Sequence, residues 1–161
     1  MKIYITGMSG SGKTTLAQKL SKKYNLKIIS SDYLLYSYKN KSRLKNDLEL
    51  IEKEVDKLVN TDNWVFEGVS IIPKVLEASD KIIFLKISLL TLLYRQWFRF
   101  LTNKTQCKEH GFLNNVKHSK SIIHKYFSKT LINDYYKSNR YTLNFYINKY
   151  KSKLLTYNNN I

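Results

Sequence analysis

The sequence predicts an α/β protein built on a parallel β-sheet. Short apolar runs alternate along the chain with segments of helical periodicity, and a glycine-rich loop directly follows the first apolar run. A chain of 161 residues, 43% of them hydrophobic, can bury one core without disulfides or metal. We therefore expect a single domain over residues 1–161, with right-handed crossovers between its strands.

Strands are predicted where apolar residues run together, and helices where they recur every three or four positions. The predicted strands are Lys2–Ile5, Leu26–Ser30, Trp64–Glu67, Lys81–Ile87 and Lys153–Tyr157. The predicted helices run from the glycine-rich loop to Tyr24, and over Ser42–Asn60, Leu89–Leu101, Val116–Phe127 and Leu131–Asn148. The polar stretch Asn103–Gly111 is predicted to be a mobile connection.

The glycine-rich loop matches the spacing G-x-x-x-x-G-K-[ST] of a phosphate-binding loop. Its glycines let successive backbone N–H groups point at phosphate oxygens, and the lysine reaches the β- and γ-phosphates of a nucleoside triphosphate. The hydroxyl of Thr14 is the predicted Mg²⁺ ligand of the loop. The predicted nucleotide-binding residues are Gly7, Ser9, Gly10, Ser11, Gly12, Lys13, Thr14 and Thr15.

Two carboxylates follow predicted strands at the edge where such sheets bind ligands. Asp32 follows the second strand and Glu67 ends the third. Phosphoryl transfer requires carboxylates that hold Mg²⁺ through water and accept a proton, so both are predicted as metal, acceptor and catalytic residues. The alternatives are a helix N-cap for Asp32 and a turn residue for Glu67. The fourth strand ends in Lys86, without the aspartate often found there, so metal binding falls to Thr14 and these two carboxylates.

The formal net charge of +16 would ordinarily indicate a polyanionic partner such as nucleic acid. The basic residues are spread along the whole chain, and AT-rich codon usage explains the joint abundance of Lys, Asn, Tyr and Ile. A solvated basic surface is therefore favoured over nucleic-acid binding.

Cys107 is the single cysteine, and no apolar run is long enough to span a bilayer. We expect a cytoplasmic protein without a membrane partner.

Most basic residues of this chain are lysine, so an arginine indicates a position that needs a flat, bidentate guanidinium. Arg95 and Arg99 lie four positions apart, share one helix face and are predicted to converge on a phosphate, with a solvated basic face as the alternative. Arg43 is a candidate for the phosphate of the acceptor, or a surface residue. The aromatic residues of the Arg95 helix are predicted to pack rather than to stack on a base; they are Trp97, Phe98 and Phe100.

Five motifs follow one another along the chain: the loop Gly7–Thr15, then Ser31-Asp32, Trp64–Gly68, Ser79–Leu85 and Leu93–Arg99. Together they resemble those of adenylate-kinase-related P-loop kinases, and among these the small proteins called DNA topology modulation protein FlaR. The resemblance covers about the first two-thirds of the chain. In that group the fourth strand usually continues as Asp, an apolar residue and Pro, whereas this chain has Lys86-Ile87-Ser88.

The resemblance implies five parallel strands in the order 2-3-1-4-5, with ATP and Mg²⁺ as cofactors. It also implies an acceptor-binding insertion over about residues 33–60 and a helical lid over about residues 93–128. We therefore expect a phosphotransferase that moves the γ-phosphoryl group to a small acceptor, with a nucleoside monophosphate favoured. The alternatives are a nucleic-acid-directed protein, such as a polynucleotide 5′-kinase or DNA-binding factor, and a regulatory module with little turnover. The expected catalytic residues are Lys13, Asp32, Glu67, Arg95 and Arg99.

Overall fold

The computed structural model describes residues 1–35, 48–102, 104–128 and 148–158. The strands in these ranges are β1 (Lys2–Gly7), β2 (Lys27–Ser30), β3 (Trp64–Gly68), β4 (Lys81–Lys86) and β5 (Leu154–Asn158). The helices are α1 (Lys13–Tyr24), α2 (Ser31–Leu35), α3 (Leu48–Val59), α4 (Pro73–Ala78), α5 (Leu89–Thr102) and α6 (Lys104–Ser128). Strands and helices alternate as the sequence predicts.

The strands form one parallel sheet in the order β2-β3-β1-β4-β5, which confirms the predicted topology. β1 lies in the centre, between β3 and β4, so the glycine-rich loop leaves the middle of the carboxyl edge. The register sets Glu67 of β3 beside Ile5 of β1 on one side and beside Ser30 of β2 on the other. The loop, Glu67 and the start of α2 therefore meet at one edge of the sheet.

The two faces of the sheet bury different helices because side chains alternate along each strand. Ile3 and Ile5 of β1 pack on one face with Ala17 of α1. Tyr4 points to the other face, where its ring lies 5.0 Å from that of Phe66 and where α3 and α4 complete the core. The central strand is thus covered on both faces, as a buried parallel sheet requires.

A third cluster of buried side chains connects the loop to the helices that follow β4. Met8 of the loop packs with Ile87, with Leu92 of α5 and with Ile122 of α6. Burying these apolar side chains together fixes α5 and α6 over the loop. The cluster therefore determines which face of α5 is directed at the loop.

The predicted mobile connection over Asn103–Gly111 is wrong for the described residues. α6 begins at Lys104 and continues to Ser128, interrupted at Gly111, whose φ and ψ of 59° and 165° are not helical. The stretch is polar, but it contains no proline or glycine before Gly111 that would interrupt a helix. Its polarity alone was therefore not a reliable sign of a loop. Within the described ranges, no helix combines the length and apolar character needed to cross a bilayer.

Two short helices were not predicted from the sequence, and two predicted helices are described only in part. α2 and α4 have too few turns to give a clear periodic signal. The predicted helix Ser42–Asn60 is seen as α3, from Leu48 onwards. Residues 42–47, with Arg43, and residues 131–147 lie outside the described ranges.

Candidate active site

The loop between β1 and α1 is held in a tight turn by its own backbone. The N–H of Ser11 donates to the carbonyl oxygen of Met8 at 3.1 Å. Gly10 and Gly12 adopt φ angles of 84° and 94°, which residues with a side chain rarely adopt. α1 begins at Lys13, so the free N–H groups of its first turn lie where the loop ends. A glycine-rich turn that leads into a helix N-terminus is a backbone arrangement that binds phosphate.

Lys13 is buried at the base of this loop, with 7% of its surface exposed. Its ammonium donates a hydrogen bond to the carbonyl oxygen of Met8 at 2.9 Å. Burial lowers the pKa of Lys13 from 10.5 to about 8, while the nearby carboxylates of Glu67 and Asp32 act to raise the pKa and Arg99 acts to lower it. The structure thus brings both predicted carboxylates and one predicted arginine within electrostatic reach of the loop lysine.

Glu67 and Asp32 both lie near Lys13, and the end of β3 lies directly against the start of α2. A Cβ atom on Gly68 would overlap the side chain of Ser31, which is almost completely buried. Glycine at position 68 therefore permits the contact that sets Asp32 beside the strand end. Glu67 is buried and Asp32 is exposed, so the two carboxylates differ in their access to solvent.

Asp32 is not the N-cap of α2, which was the alternative interpretation of this residue. It lies in the first turn of the helix, and its N–H donates to the hydroxyl of Ser30 at 3.3 Å. Ser30 therefore supplies the capping oxygen. The carboxylate of Asp32 is left exposed at the edge of the sheet, where it is accessible to a ligand.

α5 directs its two arginines at the loop. The Arg95 guanidinium donates from Nη1 to the carbonyl oxygen of Gly10 at 3.3 Å. Arg99, one helical turn later, is exposed, and its charge acts on Lys13. Both arginines therefore lie on the loop side of α5, and their convergence on one phosphate stays a prediction.

The remaining predicted residues differ in their placement. Ser9, Thr14 and Thr15 are exposed, and Arg43 lies outside the described ranges. Lys86 is exposed at the end of β4.

The prediction that the aromatic residues of α5 pack is confirmed for Phe100, which is buried, but wrong for Phe98, which is 55% exposed.

The burial of the α5 aromatics follows from which helix face meets α6. Phe100 lies on the covered side of α5. Trp97 is partly covered, with its ring 5.7 Å from that of Phe112 on α6. Phe98 lies on the surface of α5 and is exposed to solvent. The sequence alone does not distinguish the three rings, because it does not show which helix packs against which face of α5.

Tyr4 is a positioning residue that the sequence did not reveal. Its hydroxyl donates to the carbonyl oxygen of Ser70 at 3.0 Å and accepts the N–H of Ile72 at 3.3 Å. These bonds fasten the segment that follows Glu67 and Gly68 to the central strand. The signal available in the sequence was a lone tyrosine between two isoleucines of a buried strand, whose hydroxyl needs partners.

The match of a family model adds to this geometry. The model described as AAA domain matches residues 6–92, more than half of the chain, and the match includes the loop, Asp32 and Glu67. The chain belongs to the AAA domain family. No curated protein matches the sequence significantly. The narrower resemblance to the FlaR proteins stays a prediction.

Solved structures with the same fold include three proteins of low sequence identity to this AAA domain protein. Shikimate kinase from Bacteroides thetaiotaomicron is 19% identical, with 80% of this chain and 79% of that chain covered and a TM-score of 0.50. A gluconokinase from Sinorhizobium meliloti 1021 is 13% identical, with coverages of 98% and 81% and a TM-score of 0.52. YorR from Bacillus subtilis, solved in complex with phosphorylated GDP, is 17% identical, with coverages of 94% and 96% and a TM-score of 0.51. At these identities the likeness establishes the P-loop kinase fold.

Proposed function

We propose that this protein is an ATP-dependent phosphotransferase that moves the γ-phosphoryl group to a small acceptor, with a nucleoside monophosphate as the favoured acceptor. The observation that carries the proposal is the buried ammonium of Lys13, on which the charges of Glu67, Asp32 and Arg99 all act. Phosphoryl transfer depends on positioning and charge stabilisation. A loop lysine with carboxylates and an arginine around it meets those needs.

On the donor side, the loop and α5 would hold the triphosphate. The backbone N–H groups of the loop and the ammonium of Lys13 would bind the β- and γ-phosphates. Arg95 already reaches a loop carbonyl, and Arg99 acts on Lys13, so both guanidinium groups can approach a phosphate bound there. They would stabilise negative charge as the bond from the γ-phosphorus to ADP breaks and the bond to the acceptor oxygen forms.

On the acceptor side, the candidate residues are Glu67 and Asp32. Glu67 lies at the end of β3 beside the loop, where it would orient the acceptor or take a proton from its attacking oxygen. Arg43 is the further candidate for holding an acceptor phosphate. A nucleoside monophosphate supplies such a phosphate, and the alternative acceptors are a sugar or hydroxy-acid hydroxyl and the 5′ end of an oligonucleotide.

The residues around the loop fit Mg²⁺, a hard cation that prefers oxygen ligands. In enzymes of this type Mg²⁺ is held by one or two carboxylates together with substrate phosphates. The exposed hydroxyl of Thr14 and the carboxylates of Asp32 and Glu67 offer such oxygens, in part through water. Among the described residues, no group of three or more His, Cys, Asp or Glu could hold a metal by itself. When bound, Mg²⁺ would neutralise charge on the phosphates.

The comparisons support the proposal by analogy of fold. Two relatives of the same fold are named as small-molecule kinases, and a third was solved with a phosphorylated guanine nucleotide. Because one fold can host many functions, the acceptor must be argued from the site and tested directly.

The test is a transfer assay with γ-labelled ATP and a panel of acceptors. The panel contains the ribonucleoside and deoxyribonucleoside monophosphates, shikimate, gluconate and a single-stranded oligonucleotide with a free 5′ hydroxyl. We expect label on a monophosphate with wild-type protein and none with Lys13→Ala. Transfer to a hydroxy acid or sugar acid alone would support kinase activity but with that compound, and not a monophosphate, as the acceptor. Transfer to the oligonucleotide alone would favour the nucleic-acid alternative, and no transfer at all would favour the regulatory module.

A further inference from the structure

The helices α5 and α6 pack against each other in antiparallel order. Near the end of α5, the ring of Trp97 lies 5.7 Å from that of Phe112, which is early in the described part of α6. Earlier in α5, Leu92 is buried with Ile122, which comes later in α6. Met8 of the phosphate-binding loop belongs to the second contact, so the position of α5 on α6 also sets its position on the loop.

A polar contact lies between these two apolar ones. Gln96 of α5 donates from Nε2 to Oδ1 of Asn115 at 2.8 Å, to the carbonyl oxygen of Asn115 at 3.1 Å and to Oγ of Ser119 at 3.2 Å. Ser119 in turn donates from Oγ to the carbonyl oxygen of Asn115 at 3.0 Å. We call Gln96, Asn115 and Ser119 the polar layer of this helix pair.

The polar layer is not the arrangement that would give the helix pair its greatest stability. Asn115 is only 8% exposed. Among the described residues, Oε1 of Gln96 and Nδ2 of Asn115 are buried without a hydrogen-bond partner. A buried polar group without a partner costs free energy, and replacing such a pair by apolar side chains of the same shape is often neutral or stabilising.

The advantage of the polar layer is that it fixes the register of the two helices. Apolar side chains of similar size can exchange partners, whereas a shift of α5 along α6 would leave every amide group of the polar layer buried without a partner. A shift of one helical turn is about 5.4 Å. Arg95 directly precedes Gln96 and reaches the carbonyl oxygen of Gly10 at 3.3 Å, so such a shift would remove it from the loop.

We propose that Gln96 and Asn115 are positioning residues, which fix the register of α5 on α6 so that Arg95 and Arg99 are held at the phosphate-binding loop. The inference rests on the proposed function, because the arginines have a role in transfer only if a phosphate binds at the loop. Gln96 acts through the two guanidinium groups and is not a catalytic residue itself.

A variant that replaces the polar layer by apolar groups of similar shape tests this role. Gln96→Met/Asn115→Leu removes both amides, while Ser119 keeps its bond to the carbonyl oxygen of Asn115. The matched control is Ile122→Val, which removes one buried methyl group from the same helix pair, closer to the loop, and keeps the polar layer. Urea unfolding gives the stability of each protein. The kcat/KM for transfer from ATP is measured with the acceptor that the wild-type protein labels in the panel above.

We expect stability and transfer to separate. In Gln96→Met/Asn115→Leu the unfolding midpoint should be equal to or above that of wild type, because no buried amide is left without a partner. Its kcat/KM should fall by at least about 10-fold, since a misplacement of about 1 Å can cost 100-fold. In Ile122→Val the midpoint should fall and kcat/KM should stay within about 2-fold of wild type.

The same substitutions in the Arg95→Ala/Arg99→Ala background show whether the polar layer acts through the arginines. There they should change kcat/KM by no more than about 2-fold, because the groups that they position are already absent. An undiminished loss in that background would mean that the polar layer acts by another route, and would overturn the proposal.

Three further results would count against the positioning role. A parallel loss of stability and transfer in Gln96→Met/Asn115→Leu would make the polar layer a folding element alone. A loss of transfer in Ile122→Val as large as that in the double variant would mean that any weakened contact between α5 and α6 suffices. Wild-type transfer in the double variant would refute the positioning role and leave the proposed function intact, whereas wild-type protein that labels no acceptor would refute the proposed function and the positioning role together.

Discussion

Lys13 and Met8 are joined by a hydrogen bond of 2.9 Å, in which the lysine ammonium donates to a carbonyl oxygen of its own loop. The bond partly compensates the ammonium for its removal from water. A bound phosphate would offer the same ammonium a charged acceptor in place of a neutral one. The bond to Met8 is already assisted by the charge of the ammonium, and a phosphate oxygen would add the attraction between opposite charges, so the exchange favours the nucleotide.

The first prediction follows from that bond. Lys13→Ala should lower phosphoryl transfer by at least about 100-fold, as expected for the loss of one electrostatic stabiliser of the transition state. The fold should persist, because Lys13 lies at the loop and contributes no apolar surface to the sheet core. Steady-state turnover and circular dichroism are the measurements. Wild-type turnover in the variant would contradict the assignment of Lys13.

The second prediction concerns protons taken up when a nucleotide binds. The pKa of Lys13 in the free protein is about 8, and phosphate charge should raise it. At pH 9 the ammonium is therefore largely deprotonated before binding, and we expect nearly one proton to be taken up per ATP; at pH 7 we expect little uptake. Calorimetry in two buffers of different ionisation enthalpy measures the number. Equal uptake at the two pH values, or the same uptake in Lys13→Met, would be inconsistent with this pKa.

The same pKa predicts how Lys13 affects stability. Between pH 8 and pH 10.5 the unfolded chain keeps a lysine proton that the folded chain has released, so this group makes the free energy of unfolding rise with pH in that window. From pH 7.5 to pH 9.5 the wild type should gain about 1–2 kcal/mol relative to Lys13→Met. Urea unfolding of both proteins at both pH values isolates the effect. A difference between the proteins that does not change with pH would argue against a buried, charged lysine.

The third prediction concerns the contact between Gly68 and Ser31. Gly68→Ala places a Cβ atom where Ser31 lies, so we expect a loss of about 1–3 kcal/mol in the free energy of unfolding, together with reduced transfer as the strand end is displaced. Ser31→Gly in the same chain removes the overlapping atoms and should restore most of both. Gly111→Ala is the control, because nothing lies within 4 Å of its Cβ position and its cost arises from a φ of 59° alone. Ser31→Gly should not rescue that control.

The sequence was sufficient to predict the five strands, because they depend on apolar patterning; their order was implied by the resemblance to adenylate-kinase-related P-loop kinases. It also predicted that Asp32, Glu67 and Arg99 belong near Lys13, because these residues follow from strand ends and helix spacing. It did not predict that Phe98 is exposed or that residues 104–110 are helical. Those features depend on which helix packs against which, and a single sequence carries little information about such contacts.

The fourth prediction concerns Glu67. Glu67→Gln keeps the shape of a buried side chain and removes its charge, so turnover should fall by about 100-fold or more while ATP still binds. The pKa of Lys13 should also fall further, because Glu67 is the first of the charges that raise it. Turnover assays and nucleotide titration test the first effect, and proton uptake on ATP binding tests the second. A variant with normal turnover would leave Glu67 as a structural residue of β3 alone; its position in that strand contradicts its alternative interpretation as a turn residue.

The last prediction concerns cooperation between Arg95 and Arg99. Arg95 donates to the loop carbonyl of Gly10, and Arg99 acts electrostatically on Lys13, so both can reach a phosphate held at the loop. Arg95→Ala and Arg99→Ala should each lower kcat/KM without changing the unfolding midpoint by more than a surface substitution does. If the two guanidinium groups hold one phosphate, the double variant should lose less than the sum of the single losses in transition-state free energy, because residues that act as a unit are not additive. Strict additivity would mean that each acts on a different group. Full activity in both single variants would mean that α5 presents an ordinary basic face, and that the charge on the transferred phosphoryl group is stabilised from elsewhere in the chain.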